Sequence, residues 1–128
     1  MEKVTAIIGN ENYKTIIKTD TSEFITDMPE AEGGKNAGPK PKELLAAALA
    51  GCVTMTVKMY ANRSNWPLDE VHVDVEVDTD TNPGSTIFRK KVSFTGDLTD
   101  EQIKRLHLIA SKCPINKLLQ NPISVETL

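Results

Sequence analysis

Two cysteines, Cys52 and Cys113, are the only plausible catalytic pair in this chain of 128 residues. Sixty residues lie between them, and such thiols can stay reduced, cross-link or cycle between the two states. The competing chemistries lack their residues. His72 and His107 belong to separate elements and neither is near a cysteine in sequence, so no metal site is expected. Gly33-Gly34 has neither the spacing nor the preceding strand of a phosphate loop, and no serine stands in a nucleophile elbow. No cofactor is expected either.

The two thiols occupy different settings. Cys113 precedes Pro114, and proline at a first helical position makes Cys113 the cap, where free N–H groups and the helix dipole favour a thiolate. A small residue fitting a tight helix start would look the same. Cys52 lies amid Leu45, Ala48, Leu49, Met55, Thr56 and Met59 at helical spacing. Those neighbours are mostly apolar and work against a thiolate, so a reactive Cys52 needs a cation or hydrogen-bond donor from elsewhere. Taken by itself, the stripe favours a buried core cysteine over a reactive one.

The element that positions Cys52 is the apolar stretch from Leu44 to Ala61, interrupted by one charge, Lys58. Its alanines and leucines favour helix, Pro41 suits the first turn, and Glu43 sits where a carboxylate complements the helix start. A helix apolar on nearly every side must be wrapped by the rest of its protein or lie in a membrane. Gly51, Thr54, Thr56 and Lys58, in a strand-rich chain, favour wrapping. Before it, residues 28–41 hold three prolines and three glycines and are expected to form an irregular loop, functional or mobile.

The remaining elements follow from alternation and turns. Val4 to Ile8, Tyr13 to Lys18 and Glu23 to Thr26 read as three antiparallel strands joined by short turns. Val71 to Asp78 alternates valine with His72, Asp74, Glu76 and Asp78, and Thr86 to Phe94 returns with Phe88, Val92 and Phe94 on one side. Arg89 or Lys91 is then expected against the acidic face. Thr99 and Gln102 have capping-box spacing before a helix reaching about Lys112. A short helix follows Pro114, and Ile123 to Leu128 reads as a final strand. The layout is α+β, one domain over residues 1–128. A net charge of −3 with interspersed signs argues against nucleic acid, and the first residues lack a secretory-signal layout, so a cytoplasmic setting without membrane is expected.

A set of motifs runs through the chain: Gly33-Gly34, Gly38-Pro39-x-Pro41-x-Glu43-Leu44-Leu45, Ala47-Ala48-Leu49 with Cys52, Met55-Thr56 and Met59-Tyr60-Ala61. Trp66-Pro67-Leu68, the valine strand, Gly96-Asp97-Leu98-Thr99 and Cys113-Pro114-Ile115-Asn116-Lys117 continue it. Together these motifs resemble the OsmC/Ohr family of organic hydroperoxide reductases. The resemblance implies an OsmC-like fold: antiparallel sheets wrapped around a buried central helix, in an intertwined homodimer with sites at the interface. It also implies thiol peroxidase chemistry, with Cys52 as peroxidatic and Cys113 as resolving cysteine, and a lipoamide-like dithiol as reductant. Glu43 would assist, and an apolar wall of Leu49, Met55 and Met59 would suit a fatty or aryl hydroperoxide.

Two positions depart from the family pattern. Its peroxidases carry an N-terminal arginine beside the thiolate, whereas the first arginine here is Arg63. They also place a glutamate ten residues before the cysteine, where this chain has Lys42. Glu43, nine residues before Cys52, lies about 180° round the helix, a helix-start geometry, while Lys42 lies about 80° away and could supply a cation. A non-enzymatic dimer of the same fold, binding a small molecule or sensing redox state, is the alternative.

Overall fold

In the computed structural model, which describes all 128 residues, the chain forms two compact units, Met1–Leu45 and Ala46–Leu128. One helix, α1 (Pro41–Arg63), begins in the first and continues through the second.

The first unit is an antiparallel meander of three four-residue strands, β1 (Thr5–Ile8), β2 (Thr15–Lys18) and β3 (Glu23–Thr26). The Thr19 hydroxyl accepts the N–H groups of Thr21 and Ser22, which closes the turn between β2 and β3. The following loop is irregular except for a 3-10 turn at Glu30–Glu32, and it is latched. Buried Asp27 accepts N–H bonds from Tyr13 and Met28 on Oδ1 and from Lys35 and Ala37 on Oδ2, at 2.8 to 3.3 Å. The Thr26 hydroxyl donates to the Pro39 carbonyl at 2.7 Å. Glycine is obligatory at two places: a Cβ at Gly34 would lie 2.0 Å from the Met28 oxygen, and one at Gly38 would lie 2.0 Å from the Ile25 oxygen. The glycines and prolines thus encode close backbone approach.

At the start of α1, Glu43 stands third in the helix and its Oε1 accepts the Lys40 N–H at 2.9 Å, satisfying a backbone donor at the helix start. At the other end Asn65 takes a left-handed φ of 55°, Trp66 N–H bonds the Ala61 carbonyl, and Asn65 N–H bonds that of Asn62. This paired closure is a Schellman motif, and it stops the helix before Pro67.

The second unit adds β4 (Leu68–Asp78), β5 (Ile87–Gly96), α2 (Asp100–Ala110) and α3 (Pro114–Gln120). Its core comprises Leu49, Val53, Val57 and Ala61 from α1, Leu68, then Leu106, Ile109, Ala110 and Cys113. The α1 residues recur every fourth position, one stripe of the helix. Within the single chain, α1 is covered along this stripe and open on its other sides. Met55 is 63% and Met59 52% exposed. A two-stranded sheet and two short helices can cover one face of a helix of 23 residues, not its circumference. By length and composition α1 could cross a membrane, yet its buried stripe is the core of this unit.

Strands β4 and β5 pair antiparallel, setting Val71 opposite Phe94, Val73 opposite Val92, Val75 opposite Lys90 and Val77 opposite Phe88. On the outer face Asp74 meets Lys91 and Glu76 meets Arg89, as alternation predicts. Arg89 also pairs with Asp78 at 2.7 Å. The Thr81 hydroxyl and then Arg89 hold the Asp78 carboxyl below the usual carboxylate range. Thr99 and Gln102 form the expected capping box, but α2 ends at Ala110. The expected strand Ile123 to Leu128 is absent: these residues have no regular structure, and Ile123, Val125 and Leu128 are exposed. A strand exists only where an edge pairs with it, and the tail pairs with none in this chain.

Candidate active site

Cys52 lies midway along α1, half-buried, and packs against the core; Cys113 is the N-cap of α3 and fully buried. Both thiols are free, and Cys52 is close enough to Cys113 to raise its pKa. Residues sixty apart in sequence therefore meet where the middle of one helix faces the cap of another. The Cys52 Sγ also lies 4.0 Å from the Thr56 hydroxyl, one helical turn on.

Cys113 takes the cap role that Pro114 predicts, its Sγ accepting the Asn116 N–H at 3.3 Å. The expected lowering of its pKa is overturned. Burial pushes the thiol up, the Asn116 N–H pulls the other way, and the neighbouring Cys52 raises it further. The cap belongs to a helix of seven residues and contributes one N–H bond, which does not offset removal of the whole thiol from water.

The other sequence-predicted residues separate. Leu49 is part of the buried core, 2% exposed, so its side chain faces packing and not the open side of α1. Met55 and Met59 lie on that open side, and Met55 joins Thr54, Lys58 and Val71 around a groove of about 280 Å³. Lys58, the one charge of the apolar stretch, donates to the Leu68 carbonyl at 2.6 Å. Glu43 spends its carboxylate on the helix start, as its position suggests. His72 forms an exposed pair with Glu70 at 2.6 Å, and His107 packs edge-to-face on Phe94 at 4.8 Å. No group of three His, Cys, Asp or Glu side chains is placed to hold a metal ion.

One residue was missed by sequence reasoning. Lys90 shares the inner face of β5 with Phe88, Val92 and Phe94, and its Nζ donates to the Ala110 carbonyl at 2.8 Å. Its charge acts on Cys113 and favours the thiolate, the smallest of the influences on that thiol. The signal was legible, since a lysine with the same alternation as three apolar residues has to be accommodated against the core.

A dithiol shared between a largely apolar helix and a helix cap, on this α+β scaffold, defines a class of protein. The family model described as OsmC-like protein matches residues 33–128, and this chain belongs to that family. No curated protein matches it. Among solved structures it is similar to an OsmC-like protein from Mycoplasma pneumoniae, at 22% identity and a TM-score of 0.76, covering 94% of this chain and 87% of that one. It is similar to the organic hydroperoxide resistance protein OhrB of Bacillus subtilis, at 27% identity and a TM-score of 0.63, covering 94% and 90%. An organic hydroperoxide resistance protein from Elizabethkingia anophelis gives 23% identity, a TM-score of 0.67, and coverage of 94% and 88%. The fold is OsmC-like.

Proposed function

We propose that this protein is a cytoplasmic thiol peroxidase that reduces organic hydroperoxides. The observation that carries the reading is the adjacency of two free thiols from distant parts of the chain. Likeness to proteins named for organic hydroperoxide resistance adds to it. In the first step the Cys52 thiolate attacks the distal peroxide oxygen. An S–O bond forms, the O–O bond breaks, and the departing alkoxide takes a proton to leave as an alcohol. The Cys113 thiolate then attacks the sulfur of the Cys52 sulfenic acid. An S–S bond forms, and hydroxide leaves and is protonated to water. A dithiol of the lipoamide type reopens the disulfide by exchange.

Met55 and Met59, on the open face of α1, supply an apolar surface for the organic part of the substrate, and a second copy of the chain covers the rest of that face. Glu43 takes no direct part, its carboxylate being committed to the helix start. The test is consumption of cumene hydroperoxide with dihydrolipoamide as reductant. Wild type turns over, and Cys52→Ser loses activity by at least about a thousandfold, as for removal of a nucleophile. Activity of Cys52→Ser equal to wild type would sink the mechanism.

A second reading is a redox-sensing dimer of the same fold without efficient turnover. Burial of Cys113, which disfavours its thiolate, is the observation on its side. It predicts a disulfide that forms with hydroperoxide but is not reopened at a catalytic rate by the dithiol.

A further inference from the structure

The thiol that must attack second is the one whose anion is least welcome, with no exposed surface and a single N–H donor. A buried nucleophile of this kind needs a positive charge nearby. The arginine of family peroxidases has no counterpart before Arg63, but the inner face of β5 carries a cation.

Lys90 stands between Phe88 and Val92 on that face, opposite Val75. Its ammonium is fixed on the Ala110 carbonyl at 2.8 Å, at the last residue of α2. Three residues later comes Cys113, cap of α3. The charge is therefore held at the corner between the two helices. The geometry points to Lys90 as the positioning residue for the resolving step, its ammonium favouring the anionic form of Cys113 as it attacks the Cys52 sulfenic acid.

The assignment rests on, and deepens, the thiol peroxidase reading. The titratable groups acting on Cys113 are Cys52 from α1 and Lys90 from β5, and of these only Lys90 favours the anion. The role differs from that of a charge beside the peroxidatic thiolate, because it serves closure of the disulfide and not attack on the peroxide. It also explains why a cation occupies a position where alternation calls for an apolar side chain. Its neighbour Lys91 lies on the opposite face, across from Asp74, and has no such role.

The decisive experiment is an ultraviolet thiolate titration in a Cys52→Ser background, where Cys113 is the one remaining thiol. Lys90→Gln raises the midpoint by about half to one pKa unit, a three- to tenfold loss of thiolate at fixed pH below it. Lys90→Arg restores it, and Lys91→Gln leaves it in place. Lys90→Met, which keeps the apolar stem, serves if the glutamine variant folds poorly. A midpoint unmoved by Gln and Met, or moved equally by Lys91→Gln, overturns the assignment.

In single turnover with cumene hydroperoxide and both cysteines present, Lys90→Gln forms the sulfenic acid at the wild-type rate and closes the disulfide about three- to tenfold more slowly. Slowing of sulfenic acid formation instead would place Lys90 at the wrong step. If wild type forms no sulfenic acid, the peroxidase reading fails, while the titration still decides what Lys90 does to Cys113.

Discussion

Asp27 and Cys113 are both buried groups that can carry a negative charge, and the protein treats them in opposite ways. Asp27 receives four backbone N–H bonds and its carboxyl is held below the usual carboxylate range, the Ala37 N–H contributing most. Cys113 receives one, from Asn116, and burial pushes its thiol up. Loss of solvent is common to both. The number of donors delivered by the surrounding backbone decides whether the anion is welcome. One site is a latch that wants its charge permanently; the other is a thiol that stays protonated until its chemistry calls for the anion.

Substitution at the latch is expected to have the largest effect. Gly34→Ala puts a Cβ 2.0 Å from the Met28 oxygen and 2.9 Å from Asp27 Oδ1. It is expected to cost about 3 kcal/mol or more, as overpacking against a fixed backbone does, measured by urea unfolding. Asp27→Asn comes next. It turns an NH2 group or a single acceptor toward N–H groups that now share two carboxylate oxygens. The urea midpoint is expected to fall at pH 7 by less than for Gly34→Ala, and a midpoint equal to wild type would refute the latch.

The pH dependence sharpens the contrast, because the two groups act with opposite sign. Asp27 has a lowered folded pKa, so its contribution is present above the unfolded value of about 3.9 and is lost as pH falls through the folded value. The acid limb of the stability curve should be shallower in Asp27→Asn than in wild type. Cys113 has a raised folded pKa, so its contribution is complete below the unfolded value of about 8.5 and is lost as pH rises toward the folded one. Cys113→Ser keeps an acceptor for the Asn116 N–H and does not titrate, so its alkaline limb should be flatter. Equal alkaline limbs in reduced wild type and Cys113→Ser would contradict the buried-thiol account.

The smallest expected effect on folding of the single chain is at the open face of α1. Met55→Glu places a charge on a side chain that is 63% exposed and should change stability within about 0.5 kcal/mol if the chain is monomeric. If a second copy covers this face, the same change dissociates the dimer, read by sedimentation equilibrium.

Much of this was legible in the residues themselves. The period-two alternation of Val71 to Val77 gave β4 its faces, and Thr99 with Gln102 gave α2 its start, because both are local rules of backbone geometry and capping. Cys113-Pro114 likewise announced a capped helix. The readings that failed depended on what lies across space. Whether Ile123 to Leu128 forms a strand depends on a pairing edge, which no local pattern supplies. How much of α1 is covered depends on how much chain is left to cover it.

Legible from the residues alone are a central apolar helix with Cys52 on it, a helix cap at Cys113 before Pro114, and the family motifs around both. Folding adds that the two thiols come close enough to influence each other, that burial outweighs the cap at Cys113, and that Lys90 reaches the Ala110 carbonyl three residues before it. The reason is physical. Capping, alternation and turn chemistry act between residues a few positions apart, whereas solvent exclusion and charge proximity are set by elements that meet only when the chain has folded.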